Sequence, residues 1–190
     1  MKKTILIAVT IGLASLSFTN TKNDNYKVNT DSSIINWEGF KPTGSHKGTI
    51  SMSNGNFIVD NEKIIGGEVT IDMNSIACSD SAKLVKHLKS DDFFAVEKFP
   101  IGSFQIKGSK KMDGKTLIEG ELTLKGITNP VTFFADVIIE NDKLFLKSET
   151  FKVDRSKWDI RYKSKSFFDD LKNKYIDDDM EISVVVEAVK

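Results

Sequence analysis

The stretch GELTLKGITNPV, residues 120–131, carries the pattern of a strand, a turn and a second strand. Before the turn, apolar residues or glycine alternate with polar ones, from Ile118 to Leu124. We place the turn at residues 126–130, and beyond it every second residue is apolar, namely Val131, Phe133, Ala135, Val137 and Ile139. Alternation with period two is typical of a strand with one buried face. The stretch therefore predicts a half-buried antiparallel hairpin.

The same alternation recurs along most of the chain. It is strong at residues 69–73 and 182–188, and weaker at 34–40, 48–52, 56–60, 101–107 and 143–153. Turn-forming residues separate several of these segments, at 53–56, 113–114 and 141–142. Two segments, 82–89 and 164–175, have a helical pattern instead. We therefore predict an all-β fold of about eight antiparallel strands with one or two short helices, for which periodicity alone leaves a barrel and a sandwich open.

Composition excludes several classes of protein. The 190 residues are 39% hydrophobic and 28% charged, with 27 basic and 27 acidic residues and a single cysteine, Cys78. These values are typical of a globular protein and exclude collagen-like, low-complexity and disulfide-stapled chains. A nucleic-acid-binding surface needs an excess of basic residues, so the balanced charge argues against nucleic acid as a partner.

The first 20 residues resemble an export signal. Lys2 and Lys3 precede an uncharged, mostly apolar run over residues 4–18, and small residues follow near its end. The run is shorter than the roughly 20 residues of a membrane-spanning helix, so we prefer a cleaved signal peptide to an N-terminal anchor. We therefore predict a signal peptide at residues 1–20, a single domain at 21–190, and a periplasmic or secreted location.

Phenylalanine is unusually frequent, with 13 Phe against 3 Tyr and 2 Trp. Phe buries a large apolar area and has no polar group that needs a partner. Six of the phenylalanines form three adjacent pairs, at 93–94, 133–134 and 167–168. Because neighbouring residues of a strand point to opposite faces, Phe133 and Phe134 cannot lie in one core layer.

Catalytic motifs are sparse. The chain contains no G-x-S-x-G, no phosphate-binding G-x-x-x-x-G-K and no G-x-G-x-x-G. His46 and His87 stand 41 residues apart without a metal-ligand spacing, and the acidic clusters lack the pattern of a calcium loop. We therefore expect no catalytic residues, no metal and no cofactor. The alternative enzymatic hypothesis assigns acid–base chemistry to His87, or to Asp91 or Asp92.

Four motifs together resemble the YceI-like family of exported bacterial lipid-binding proteins. They are HLKSDDFF at 87–94, continuing to Phe99, Pro100 and Phe104; GELTLKGITNPV at 120–131; DRSKWDI at 154–160; and, more weakly, GGEVTIDMNSI at 66–76. The match runs from about residue 26 to residue 189. Ala95 and Asp159 depart from the family pattern, which more often has an acidic residue and a glycine there.

The resemblance implies a lipocalin-like, eight-stranded antiparallel barrel whose interior holds a polyisoprenoid, an isoprenoid quinone or a related amphiphilic lipid. It implies a non-enzymatic carrier or store whose bound lipid is cargo, with transient membrane contact and with a homodimer as one option for the oligomeric state. Residues 164–179 form a longer insert that we expect to act as a lid. The ligand-binding residues expected on this basis are Phe93, Phe94, Phe99, Phe104, Leu122, Phe133, Arg155, Trp158, Phe167 and Phe168.

Two other functions remain open at this point. A barrel with a filled core would act through its surface, in adhesion or in a stress response. An enzyme acting on a small apolar substrate would use His87.

Overall fold

The computed structural model describes residues 23–79 and 81–190. The predicted signal peptide therefore lies outside the described residues. The strands are β1 (Asp24–Val28), β2 (Ile34–Lys41), β3 (Gly44–Asp60), β4 (Lys63–Cys78), β5 (Ile101–Met112), β6 (Lys115–Leu124), β7 (Ile127–Glu140), β8 (Lys143–Ser148), β9 (Phe151–Asp154) and β10 (Asp179–Val189). The helix α1 spans Ala82–Lys89, and two 3₁₀ turns span Arg155–Trp158 and Lys172–Lys174.

Eight strands form a closed antiparallel ring. Each of β2 to β7 pairs with the next strand along the chain, and β10 pairs with both β8 and β2. The short β1 lies end to end with β2 between the same two neighbours, since it pairs with the second half of β3 and with the end of β10. In the same way β9 pairs with the first half of β10, beyond the point where β8 ends. The predicted eight-stranded barrel is confirmed.

The two ends of the barrel are built differently. At one end, here called the turn end, tight turns join consecutive strands at residues 61–62, 113–114 and 141–142. The opposite end, here called the helix end, carries the long connections 79–100, with α1, and 155–178. Buried side chains fill the turn end, namely Tyr26, Val28, Val59, Ile64, Leu144 and Ala188.

Backbone conformation explains the tight turns. Both central residues have positive φ at 61–62, 113–114, 125–126 and 141–142. Turns of this kind match the twist of the strands that they join, and they favour Asn, Asp and Gly. The predictions at 113–114 and 141–142 are confirmed.

Three local predictions are wrong. Residues 53–56 lie inside β3, where irregular pairing with β4 absorbs the turn-forming sequence. The turn after β6 occupies Lys125 and Gly126 alone, so that Pro130 lies within β7 opposite Glu121. The segment 164–175 is mostly turns with the 3₁₀ turn Lys172–Lys174, because Phe167 and Phe168 remain exposed and a helix there would have no core to pack against.

The 3₁₀ turn Arg155–Trp158 completes the barrel wall beside β7. The first half of β7 pairs with β6, whereas β8 pairs with β7 only from Ala135 onward. Beside that unpaired edge Asn129 Nδ2 donates to the Lys157 carbonyl (2.9 Å), and Trp158 Nε1 donates to the Leu122 carbonyl (3.1 Å). Trp158 is fully buried, so this indole serves as a structural wedge.

Asp159 ends this turn in the left-handed conformation, with φ of 56° and ψ of 34°. The family pattern has glycine at this position, and glycine reaches that conformation without steric cost. Aspartate tolerates it better than most residues. The departure at Asp159 therefore leaves the backbone beside Trp158 in a glycine-like conformation.

We expect Asp159→Val to lower the free energy of unfolding by about 1–3 kcal/mol, because a β-branched residue is strained at positive φ. Asp159→Gly should stay within about 1 kcal/mol of the parent, since glycine fits the backbone and the exposed ion pair with Arg161 contributes little. Urea denaturation of both variants measures the difference. Equal stability of the two variants would contradict this interpretation.

Candidate functional site: an apolar cavity at the helix end

The barrel interior contains a cavity of ≈200 Å³ toward the helix end. Its lining is almost entirely aliphatic and aromatic. Side chains from β2 to β7 supply much of it, among them Ile35, Trp37, Ile50, Met52, Val69, Ile71, Met73, Phe104, Ile106, Ile118, Leu122, Leu124, Val131 and Phe133. The cavity is therefore the sum of the inward-facing positions of successive strands.

Helix α1 and the turn after it close part of this end. Leu84 and Leu88 face the cavity from α1, which is capped by Ser81 through a hydrogen bond from the Leu84 amide (3.1 Å). Phe93 and Phe94 also line the cavity and are both buried. Two adjacent residues face the interior here because they lie in a turn, in which the Phe94 amide donates to the Leu88 carbonyl (3.1 Å).

Aromatic side chains form one wall of the cavity. The rings of Phe133 and Phe151 stack with centroids 4.6 Å apart, and Phe104 lies 5.7 Å from Phe133. Gly120 makes room for Phe104, because a Cβ at Gly120 would lie 2.3 Å from the Phe104 Cζ atom. The glycine of the 120–131 motif thus positions a ring of the cavity wall.

The cavity reaches the surface at the rim formed by β2, β3 and residues 176–177. Lys41, His46 and Asp177 line it there, and Lys41 is exposed. Lys41 Nζ lies 3.2 Å from His46 Nε2, and Lys165 Nζ lies 3.9 Å from the Asp177 carboxylate. The polar groups of the cavity are therefore concentrated at its opening.

Arg155 is a buried charge at the edge of the cavity, only 1% exposed. Its guanidinium donates to the carbonyl oxygens of Asp177 (3.1 Å), Ile160 (2.8 Å) and Ile176 (3.1 Å), and its Nη2 lies 3.2 Å from Asp178 Oδ1. These contacts use most of the five donors of an arginine. The side chain therefore fastens residues 160 and 176–178 to the barrel, as a structural ion pair would.

Burial shifts the pKa values of this pair. The pKa of Arg155 is lowered by desolvation, against which the charges of Asp178, Asp154 and Asp177 act. Desolvation alone would raise the pKa of Asp178, but hydrogen bonds from Ser164 and Ser166 and the charge of Arg155 outweigh it, so the pKa of Asp178 is lowered. Folding therefore favours the ionised form of Asp178.

The structure brings six of the predicted binding residues to the cavity. Phe93, Phe94, Phe104, Leu122, Phe133 and Arg155 all line it. Contact between these residues and a ligand stays a prediction. Four others lie elsewhere: Trp158 is in the wall, and Phe99 packs beside the turn at Gly126, where a Cβ would meet its ring at 3.4 Å. Phe167 and Phe168 are 39% and 49% exposed.

His87 is not among the residues that line the cavity. Its Nε2 lies 3.1 Å from Asp92 Oδ2, and its ring makes edge contacts with Phe93 (5.0 Å between centroids) and Tyr162 (4.5 Å). The side chain therefore joins α1 to the 155–178 connection. The hypothesis of an enzyme that uses His87 on a substrate in the cavity loses its geometric basis.

Sequence reasoning missed several lining residues, chiefly Trp37, Met52, Phe151 and Met180. Alternation within residues 34–40 and 182–188 contained part of the signal, because Trp37 shares a face with Ile35 and Met180 shares one with Ile182. Met52 was hidden by the predicted turn at 53–56. The predicted strand at 143–153 spans both β8 and β9. It therefore gives no sign of the break after Ser148, which changes the alternation so that Phe151 faces inward.

Two further observations concern the described part of the chain. No helix in it is long and apolar enough to cross a membrane. It also contains no group of three or more His, Cys, Asp or Glu residues with the geometry to hold a metal ion.

Fold and site together define a closed antiparallel barrel with an apolar internal cavity that opens at one end. The model of the YceI-like domain matches residues 26–188, and the chain belongs to that family. The resemblance carried by the four motifs is therefore confirmed over nearly the whole described chain.

A sequence relative supports this assignment, and two solved structures share the fold. A UPF0312 protein of Pseudomonas putida strain W619 is 31% identical over 140 residues, which cover 71% of this chain and 73% of the relative. The crystal structure of BcnA from Burkholderia cenocepacia superposes with a TM-score of 0.65 at 17% identity, covering 85% of this chain and 99% of that one. A structure described as a polyisoprenoid binding domain from Saccharophagus degradans gives a TM-score of 0.64 at 11% identity, covering 86% and 97%.

The pKa shift of Asp178 predicts a pH-dependent contribution to stability. Because its pKa is lowered on folding, the contribution is complete above the ordinary value of 3.8 and is lost as the pH falls through the lower folded value. At neutral pH, Asp178→Asn should therefore cost about 1–3 kcal/mol of unfolding free energy. Denaturant titrations at a series of pH values should show parent and variant converging below the ordinary pKa. A difference that is independent of pH would contradict the assignment.

Proposed function

We propose that this protein binds a long apolar ligand inside the barrel, without catalysis, as a carrier or store. The ligand class is a polyisoprenoid, an isoprenoid quinone or a related amphiphilic lipid. One observation carries the proposal: the interior of a closed barrel remains unfilled and is lined almost entirely by apolar side chains, with Arg155 at its edge and the other charged groups at its opening. The neighbour described as a polyisoprenoid binding domain supports the ligand class.

Elementary energetics fit an apolar chain as the ligand. Burying apolar surface stabilises by about 25 cal/mol per Å² before the costs of association are subtracted. An isoprenoid tail has no polar groups that would lose hydrogen bonds in such a cavity. An amphiphile would place its polar end at the rim, beside Lys41 and His46.

The volume of the cavity requires it to adapt. At ≈200 Å³ it is smaller than pockets for drug-sized ligands, which measure about 300–1,000 Å³. Three methionines, Met52, Met73 and Met180, line it, and methionine changes shape readily because it is unbranched and has three rotatable side-chain bonds. A long chain would therefore enter as these and neighbouring side chains move apart.

The proposal places this work outside the cytoplasm. Residues 1–20 have the charge, length and small-residue pattern of an export signal. A water-insoluble ligand needs a carrier to cross an aqueous compartment between membranes. The periplasm is therefore the compartment in which we expect this barrel to act.

The proposal can be tested by placing a larger side chain in the cavity at one position of β6. Leu122 lines the cavity, whereas Leu117 lies on the outer face of the same strand β6. We expect Leu122→Trp to reduce uptake of a fluorescent isoprenoid analogue by about tenfold or more, since the larger ring occupies ligand volume. Leu117→Trp is the matched control and should bind like the parent.

Thermal denaturation of both variants shows whether the fold survives the substitution. The proposal fails if a folded Leu122→Trp variant takes up as much isoprenoid as the parent. It also fails if the parent takes up none.

A further inference from the structure

Two phenylalanines that the barrel leaves exposed lie in the connection beside the cavity rim. Residues 161–176, here called the rim loop, contain Phe167 and Phe168, which are 39% and 49% exposed. The rim loop ends at Ile176, which lines the cavity together with the next residue, Asp177. Large apolar side chains are therefore displayed next to the opening through which a ligand must pass.

The base of the rim loop is firmly held. The Ile176 amide donates to the Lys163 carbonyl (2.9 Å), and the Asp177 amide donates to the Phe40 carbonyl (2.9 Å). Ser166 donates through its hydroxyl to the Asp178 carboxylate (2.8 Å), which in turn faces Arg155. Phe167 and Phe168 follow Ser166 directly in the chain. The contacts of Ser166, Asp178 and Arg155 therefore fix where these two phenylalanines lie relative to the cavity.

Charge in the rim loop favours an anionic surface. The segment contains five basic residues, Arg161, Lys163, Lys165, Lys172 and Lys174, and two acidic ones, Asp169 and Asp170. Arg161 and Lys165 also face the flanking carboxylates of Asp159 and Asp177, which leaves the three other lysines to carry most of the attraction. The Arg161 guanidinium lies 4.9 Å from the Phe167 ring centroid, and Lys165 Nζ lies 3.6 Å from that of Tyr175. Basic and aromatic side chains in such proximity are the residues that anchor proteins at the membrane interface.

Two exposed apolar residues on the barrel wall lack this arrangement. Phe134 and Ile138 on β7 are 37% and 52% exposed, but Asp136 lies between them and pairs with Lys115 (3.0 Å). Ile138 also lies near the turn end, away from the cavity opening. These two residues are a matched control for the exposed pair of the rim loop.

We propose that the rim loop docks the barrel on an anionic lipid bilayer, with Phe167 and Phe168 inserted between the headgroups and the cavity opening facing the membrane. The inference rests on the proposed function and names the surface by which the ligand is exchanged. Docking in this orientation lets an apolar chain move between bilayer and cavity without crossing bulk water. It also accounts for two exposed phenylalanines that the core and the cavity do not use.

The test compares two double variants on vesicles of phosphatidylethanolamine and phosphatidylglycerol. In a co-sedimentation assay, Phe167→Ala with Phe168→Ala should lower partitioning by about tenfold or more, because two buried rings are removed from the interface. Phe134→Ala with Ile138→Ala should partition like the parent. Parent binding should weaken with added salt and on vesicles of phosphatidylcholine alone.

Ligand uptake separates docking from binding. The rim-loop variant should take up an isoprenoid analogue delivered from ethanol as well as the parent does, but should extract it from vesicles more slowly. Equal partitioning of the rim-loop variant and the parent overturns the docking inference, and so does an equal loss in both double variants. Failure of the parent to take up the analogue from ethanol, with docking intact, would instead overturn the proposed function.

Discussion

The last strand, β10, closes the barrel, and the rest of the structure depends on that closure. It pairs with β2 and β8 along most of its length, and with β1 and β9 at its two ends. Closure joins β2 to β10, which lie more than a hundred residues apart in sequence, and leaves only the first half of β7 without a strand partner on one side, where the 3₁₀ turn Arg155–Trp158 covers it. Because strand pairing satisfies most backbone hydrogen bonds of the wall, the interior can remain largely apolar and partly empty without presenting the sheet's backbone polar groups to the cavity.

Arg155 holds the connection that borders the cavity opening against the barrel wall. A buried guanidinium is costly unless its donors are satisfied and its charge is paired; here three backbone carbonyls accept its hydrogen bonds and Asp178 supplies the opposite charge. The same contacts hold the 155–178 connection across one side of the helix end. The residue therefore shapes the opening of the cavity, while the cavity surface itself stays apolar.

The sequence predicted those features that depend on local alternation. The opposite faces of Phe133 and Phe134 follow from strand geometry, and the structure buries the first and exposes the second. The turns at 113–114 and 141–142 follow from residues that tolerate positive φ. The prediction of a barrel rested on the four family motifs, because alternation alone cannot distinguish a barrel from a sandwich.

Tertiary contacts determine the remaining features, and local sequence patterns therefore could not predict them. The turn-forming residues 53–56 are overridden by pairing with β4, and the helical spacing at 164–175 has no core to pack against. Trp158 looked like a ligand contact, but its place is set by a wall gap that only the assembled barrel creates. The size of the cavity likewise follows from packing across all eight strands.

The most direct test of the central claim is to identify what the cavity holds in the cell. The protein would be purified from its own cells and extracted with organic solvent, and the extract would be analysed by mass spectrometry against a matched purification of an unrelated protein. The account predicts a near-stoichiometric isoprenoid or related lipid in the extract. An extract without lipid above the control, from a protein whose melting temperature added isoprenoids do not raise, would contradict it.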